Sequence, residues 1–370
     1  MIVKSLEFSS FRNLKDNIIE PCEGINIIFG DNAQGKTNLL EAIWLFSGGH
    51  SFRGSKESEF LRFGEKKSEL TLKFFSQMRE QEAKISFFGS KKEVFLNGVK
   101  KPSSAYLSQC FSSVIFSPEH LSLVKGGPGL RRKFLDGAIC QQDIKFAVLL
   151  SKYQRTINQR NTLLKEINRH PELKETLSIW DDSLISLGAQ IIFKRLSYIE
   201  KLRKHALSFH RGISGEKEEL LIEYVSTCGA SLDDTVYEIT EKLYKAFEKS
   251  NREDIFLGCT NAGPHRDDLE FNINGLKAKN FGSQGQQRSV ILSLKLSEAQ
   301  LLWDYFGEPP VVLLDDVLSE IDKSRQEYLL SNTRGCQTFI TGCEVPMYES
   351  EKNKIFTIRE GEVLEGFEKI

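Results

Sequence analysis

The residue types that can do chemistry are gathered in a few short segments. Gly30-Asp31-Asn32-Ala33-Gln34-Gly35-Lys36-Thr37 completes the pattern G-x-x-x-x-G-K-[ST]. Glycines in such a loop leave the backbone N–H groups free to curl around phosphate oxygens. The apolar run Ile25-Asn26-Ile27-Ile28-Phe29 before it reads as a strand, and 38–45 after it as an amphipathic helix. A helix N-terminus there adds partial positive charge where phosphate would lie. The expectation is that residues 30–37 bind ATP, Lys36 reaches the β- and γ-phosphates as a catalytic group, and the Thr37 hydroxyl sits on Mg²⁺.

A phosphate loop needs a carboxylate for the metal, and Val311-Val312-Leu313-Leu314-Asp315-Asp316 offers one. Four apolar residues suit a strand buried on both faces of a parallel sheet, with two acids at its C-terminal end. Asp315 is expected to orient Mg²⁺ through water and Asp316 to polarise the attacking water. From Lys36 to Asp315 is nearly the whole chain. The site therefore closes only when the two ends of the chain meet, with the middle looped out.

The elements that must position these groups follow the same division. Strand-like patterns cover 3–8, 24–29, 69–75, 83–88, 94–96 and 113–116, with Asn97-Gly98 as a tight-turn signal. Between 129 and 211 the period becomes helical, and Pro171 breaks it into at least two helices, most simply an antiparallel pair. A strand at 220–225 and a helix near 232–249 follow, then strands at 269–273, 311–314 and 339–341. This predicts an α/β head built from both chain ends, with an inserted helical arm: 1–125 and 258–370 for the head, 126–257 for the arm.

Composition narrows the class. The 370 residues carry 50 Lys+Arg against 51 Asp+Glu, a formal net charge of −1, so any nucleic-acid surface is a local patch. No apolar run approaches the ~20 residues that span a bilayer. The N-terminal residues lack a signal-peptide pattern, and the 7 cysteines show no CxxC spacing, so a reducing cytoplasm is expected and a zinc site is not.

Phe281-Gly282-Ser283-Gln284-Gly285-Gln286-Gln287-Arg288-Ser289 precedes a strong helix shortly before the acidic strand. Ser283, Gly285 and Gln286 fit the signature motif of ABC-type ATPases, with Gln284 where glycine is more usual. Leu318-Ser319-Glu320-Ile321-Asp322 looks like the loop that crosses the dimer seam in that class. Motif order and spacing resemble an ABC-type head of the SMC-like branch. Four further segments narrow the match: Phe11-Arg12-Asn13-Leu14, Phe116-Ser117-Pro118-Glu119, 126–136 and Gly263-Pro264-His265-Arg266-Asp267-Asp268-Leu269. Over essentially its entire length the chain resembles the RecF family of bacterial recombinational-repair proteins.

That resemblance implies an ATP-dependent homodimer that binds double- and single-stranded DNA at gaps. It would help load the recombinase with partner mediator proteins, in repair, replication restart and the SOS response, and be released by slow, DNA-dependent hydrolysis. It places Arg12 and Asn13 beside the phosphates. Ser283, Gln284, Gly285 and Gln286 would face the nucleotide of the other subunit, with Ser319 and Asp322 at the seam. Two departures fit a slow switch: transporters of the class have Glu where this chain has Asp316, and His where it has Thr341. Even ~3 kcal/mol of lost transition-state stabilisation slows turnover about a hundredfold. No glutamine-loop residue is assigned, since Gln109 comes too early.

Other features have plainer readings. The basic clusters Lys91-Lys92, Lys100-Lys101, Arg131-Arg132-Lys133 and 201–204 read as solvated faces or DNA contacts, without a choice among them. Asn251-Arg252-Glu253-Asp254 imitates a guanine-reading motif but follows a polar run. His265 and Arg266 are either catalytic or bridge carboxylates such as Asp267. The rival classes are a transporter energy subunit, which needs a membrane partner, and a small-molecule kinase, which would not need 283–286.

Overall fold

A computed structural model describes residues 1–48, 50–167, 169–342 and 353–366; Cys343 lies outside them. Its centre is a six-stranded sheet in the order Glu362–Glu365, Lys354–Arg359, Ile25–Phe29, Thr338–Gly342, Val311–Leu314, Ser113–Phe116. All neighbours pair in parallel except the edge hairpin 354–365. Ile27 is flanked by Ile340 and Ile355, so the strand leading into the phosphate loop is held on both sides by the C-terminal part of the chain.

Alternation along the acidic strand sets the layers. Val311 and Leu313 enter a core shared with the helix Lys36–Trp44 (through Leu39, Leu40 and Ile43) and with Val3, Leu6 and Phe8. These last belong to an antiparallel sheet of Asn17–Ile19, Ile2–Ser9, Ser68–Ser76, Arg79–Phe88, Lys91–Leu96 and Val99–Lys101. Val312 and Leu314 face the opposite side, against Leu292 and Leu296 of the helix Gln284–Phe306 and Leu329 of the helix Lys323–Asn332. The Asn97-Gly98 turn is present with positive φ at both residues, 50° and 76°, as a two-residue hairpin of its type requires.

The insertion is helical, as expected. Ile144–Ile167 and Leu177–Ser214 form its main helices on either side of Pro171. At 38 residues the second is roughly 57 Å long. The next helix runs Val236–Leu257 rather than 232–249. Thr235 and Glu238 form a reciprocal capping box that fixes its start, and Gly258 in the left-handed conformation ends it. The strand Asp268–Ile273 pairs with Leu220–Val225 and shares the arm's core. Packing therefore ties 268–273, beyond the expected boundary at 257, to the insertion.

Candidate nucleotide site

Gly30 and Gly35 are forced by their surroundings as well as by their φ values of 155° and 119°. A Cβ on Gly30 would lie 2.5 Å from the Ile358 carbonyl oxygen, and one on Gly35 2.8 Å from Leu14 Cδ2 and 2.9 Å from Asn13 Oδ1. The Asn13 amide lies on the loop, donating to the Gln34 carbonyl at 3.1 Å, while its Oδ1 accepts from Asn38 at 2.7 Å. Gln34 in turn accepts from the Glu360 N–H at 2.5 Å. Asp31 and Asn32 lie exposed on the outer rim, and Ala33 takes a left-handed φ of 65°. Loop shape is thus set by two distant parts of the chain, 13–14 and 358–360.

Lys36 is buried, its ammonium donating to the Gly30 carbonyl at 2.6 Å and the Asp31 carbonyl at 3.0 Å. Thr37 Oγ1 donates to Asp315 Oδ1 at 2.8 Å, and Thr341 Oγ1 donates to the same oxygen at 3.1 Å. Burial raises the Asp315 carboxyl to about 6; the two hydroxyls oppose that shift and neighbouring Asp316 adds to it. Hydroxyl and carboxylate oxygens converging at one point are the hard donor set that suits Mg²⁺. Asp316 caps the short helix Val317–Glu320 in the left-handed conformation, with φ of 51°. Its N–H donates to Thr341 Oγ1 at 2.9 Å. Thr341, noted in the sequence only as a departure, therefore ties the two acids together.

Arg12 pairs with the helix that follows the loop. Its Nε is 2.6 Å from Glu41 Oε2, a carboxylate with no exposed surface on the phosphate-loop helix, and its Nη2 donates to Ser55 at 2.8 Å. A buried carboxylate must be paired, and the guanidinium supplies that partner. Glu41 was missed in the sequence, where an acid within an amphipathic helix reads as solvated.

Ser283 caps the helix Gln284–Phe306. Its Oγ accepts from the Gln286 N–H at 3.2 Å, and Gln286 Oε1 accepts from the Ser283 N–H at 2.8 Å. The S-x-x-Q spacing is a capping box legible in the sequence. Gln286 Nε2 also donates to Glu218 at 2.9 Å, so its amide is engaged at both ends, whereas Gln284 is exposed. The segment 318–322 is joined to this helix. Asp322 caps the helix Lys323–Asn332 and pairs with Arg325, Arg325 Nε donates to Ser289 Oγ at 3.0 Å, and Arg288 meets Glu320 at 2.7 Å. Ser319 bonds back to the Asp316 carbonyl at 2.7 Å.

The remaining motifs build the root of the arm. Arg131 makes a bidentate pair with Asp268 at 2.7 and 2.8 Å, and Arg132 donates to the Asp267 carbonyl at 2.6 Å. Arg195 joins both carboxylate oxygens of Asp136, at 2.8 Å each, to the Pro264 carbonyl at 2.6 Å. Asp267 is satisfied by Tyr224 at 2.6 Å and Thr227 at 2.8 Å, not by His265 or Arg266. His265 instead lies between Tyr153, at 2.8 Å, and the Thr260 carbonyl, at 3.0 Å, where burial lowers its pKa to about 4. Asp254 is wholly buried and paired with Arg160 at 2.8 Å, so the guanine-reading imitation is structural.

A phosphate loop on a parallel sheet beside a paired-acid strand, with a capped signature helix behind, defines an ABC-type ATPase head bearing a helical arm. Residues 2–363 match the family described as RecF/RecN/SMC N terminal domain. The DNA replication and repair protein RecF of Agathobacter rectalis is 40% identical over 369 residues, covering 98% of this chain and 99% of that one. Its counterpart in Lachnoclostridium phytofermentans is 39% identical, covering 99% of each. A solved structure of the recombination mediator protein RecF-ATPrS in the RecFOR pathway superposes with a TM-score of 0.92 at 39% identity, over 98% of this chain and 97% of that one. The Smc head of Pyrococcus furiosus, 15% identical with a TM-score of 0.56, shares the fold. The chain belongs to the RecF family.

Proposed function

We propose that this chain is an ATP-driven clamp that pairs with a second copy around two nucleotides and grips DNA at single-strand/double-strand gaps. There it promotes recombinase loading with mediator proteins of the same pathway in the cytoplasm. The observation that carries the reading is the division of the site. Thr37 and Asp315 form one half, while Ser283 presents a capped helix N-terminus on an exposed surface. Relatives described as recombination mediators in the RecFOR pathway, one of them with ATP, support the assignment.

In this reading residues 30–37 bind ATP, and Lys36 turns from the Gly30 and Asp31 carbonyls to the phosphates. Asn13 holds the loop's shape, and Arg12 steadies the following helix through Glu41. Thr37 and Asp315 would hold Mg²⁺, which when bound neutralises phosphate charge. Asp316 is the candidate base. Ser283, Gln284 and Gly285 face the partner's γ-phosphate, with Gln286 fixing their turn, and Ser319 and Asp322 border the seam. ADP lacks the group gripped from both sides, so its preference for the closed pair is small and the pair opens. Lys91, Lys101, Lys133 and Lys201 carry no ion pair among the described residues and are candidate phosphate contacts. Arg131, by contrast, is spent on Asp268.

The transporter and kinase readings predict turnover indifferent to DNA. The deciding experiment is ATPase rate against protein concentration, with and without gapped DNA. Quadratic dependence with DNA stimulation is expected; a linear, DNA-independent rate would overturn the proposal.

A further inference from the structure

The long arm helix Leu177–Ser214 ends beside the signature helix, and a chain of polar side chains joins the two. His210, with no exposed surface, has Nδ1 3.2 Å from Ser293 Oγ and Nε2 3.1 Å from Glu218 Oε2. Glu218 Oε1 accepts from Gln286 Nε2 at 2.9 Å, and Gln286 Oε1 accepts from the Ser283 N–H at 2.8 Å. The Glu218 N–H donates to Ser214 Oγ at 3.2 Å, which fixes the carboxylate at the turn leaving the arm helix. Each oxygen of one carboxylate therefore serves a different element: one the arm, the other the turn that presents Ser283.

We propose that Glu218 is a positioning residue for the signature turn, holding Gln286 in the orientation that caps Ser283 and so aiming Ser283 and Gly285 at the partner's nucleotide. A carboxamide can flip about the bond that joins it to its side chain, exchanging oxygen and nitrogen, and only one of the two orientations is useful here. Without the carboxylate, Gln286 Nε2 loses its partner and the reciprocal cap loosens. The tie also makes the arm's end and the signature turn one body, so strain applied to the arm reaches the turn through this bond. The inference rests on the reading of 283–286 as facing a second copy.

The test is sedimentation of the full chain with a non-hydrolysable ATP analogue, for wild type, Glu218→Ala, Glu218→Gln and Ser283→Arg. Glu218→Ala should weaken dimerisation about tenfold, the scale of one lost charge-assisted hydrogen bond. Binding of a fluorescent ATP to the phosphate loop should be retained. Glu218→Gln, which can still accept from Gln286, should restore dimerisation to within about threefold. Dimerisation of Glu218→Ala at the wild-type concentration, or equal loss in Glu218→Gln, overturns the inference while leaving the reading of the site intact. Normal dimerisation of Ser283→Arg overturns that reading instead. Should Glu218→Ala fail to fold, Gln286→Leu cuts the same bond from the other side, and wild-type dimerisation of that variant overturns the inference.

Discussion

Thr37 donates a hydrogen bond of 2.8 Å to Asp315 across 278 positions of sequence. One residue sits at the mouth of the phosphate loop, the other at the end of a strand wholly inside the central sheet. The bond brings together the hydroxyl and carboxylate oxygens that the proposed function assigns to Mg²⁺. It also places a carboxylate in a site where burial raises its pKa to about 6.

That raised value sets a pH dependence. Between the ordinary Asp value near 3.8 and about 6 the folded chain binds more protons than the unfolded one, so Asp315 costs stability as pH rises through this window. The bound is about 3 kcal/mol, from two units at roughly 1.4 kcal/mol each. Asp315→Asn keeps both hydroxyl partners without the buried charge. It should melt higher than wild type at pH 7.5, with the difference closing below pH 4, while its ATP turnover is lost. Differential scanning calorimetry across that range checks the sign.

Lys36→Met removes the ammonium that holds the Gly30 and Asp31 carbonyls and that, in the proposed reading, turns to the phosphates. Nucleotide affinity should fall at least about tenfold, the loss of one charge-assisted contact. Hydrolysis should vanish. Isothermal titration with ATP reads the first effect and phosphate release the second.

Ser283→Arg places a bulky cation at the exposed helix cap. Nucleotide binding to the phosphate loop of the same chain should persist, and the ATP-dependent shift from monomer to dimer should disappear in analytical ultracentrifugation. Wild-type protein with ADP should remain monomeric in the same cell.

Arg160→Met strips the partner from Asp254, which has no exposed surface, and from Asp181. An unpaired buried carboxylate costs roughly 3–5 kcal/mol. Urea denaturation should show that loss in the midpoint, and methionine's similar volume makes the charge, rather than a cavity, the cause.

Much of this architecture is legible in the residues because local chemistry and tertiary role agree. The phosphate loop and the VVLL strand with its two acids each declare themselves through a short pattern whose mechanism is local. What stayed hidden is relational. Glu41 and Glu218 look like ordinary helix and turn acids until Arg12 and His210 arrive from distant segments. The arm-root arginines look like a basic patch because a sequence does not display the carboxylates that bury them. The start of the helix at Val236 was readable from Thr235 and Glu238, but the more apolar residue Leu232 drew the boundary too early. The strand at 354–359, short and flanked by charged residues, becomes a strand only because Ile25–Phe29 has an open edge to pair with.

The central strand Ile25–Phe29 takes both of its neighbours from residues beyond 337. On a ribosome adding roughly 5–20 residues per second, the nascent segment therefore waits on the order of tens of seconds with two unpaired edges and an apolar sequence. The arm, whose contacts are nearer in sequence, can condense during that interval. Synthesis therefore supplies the last strands of the nucleotide-bearing sheet only after every segment of the arm has been made.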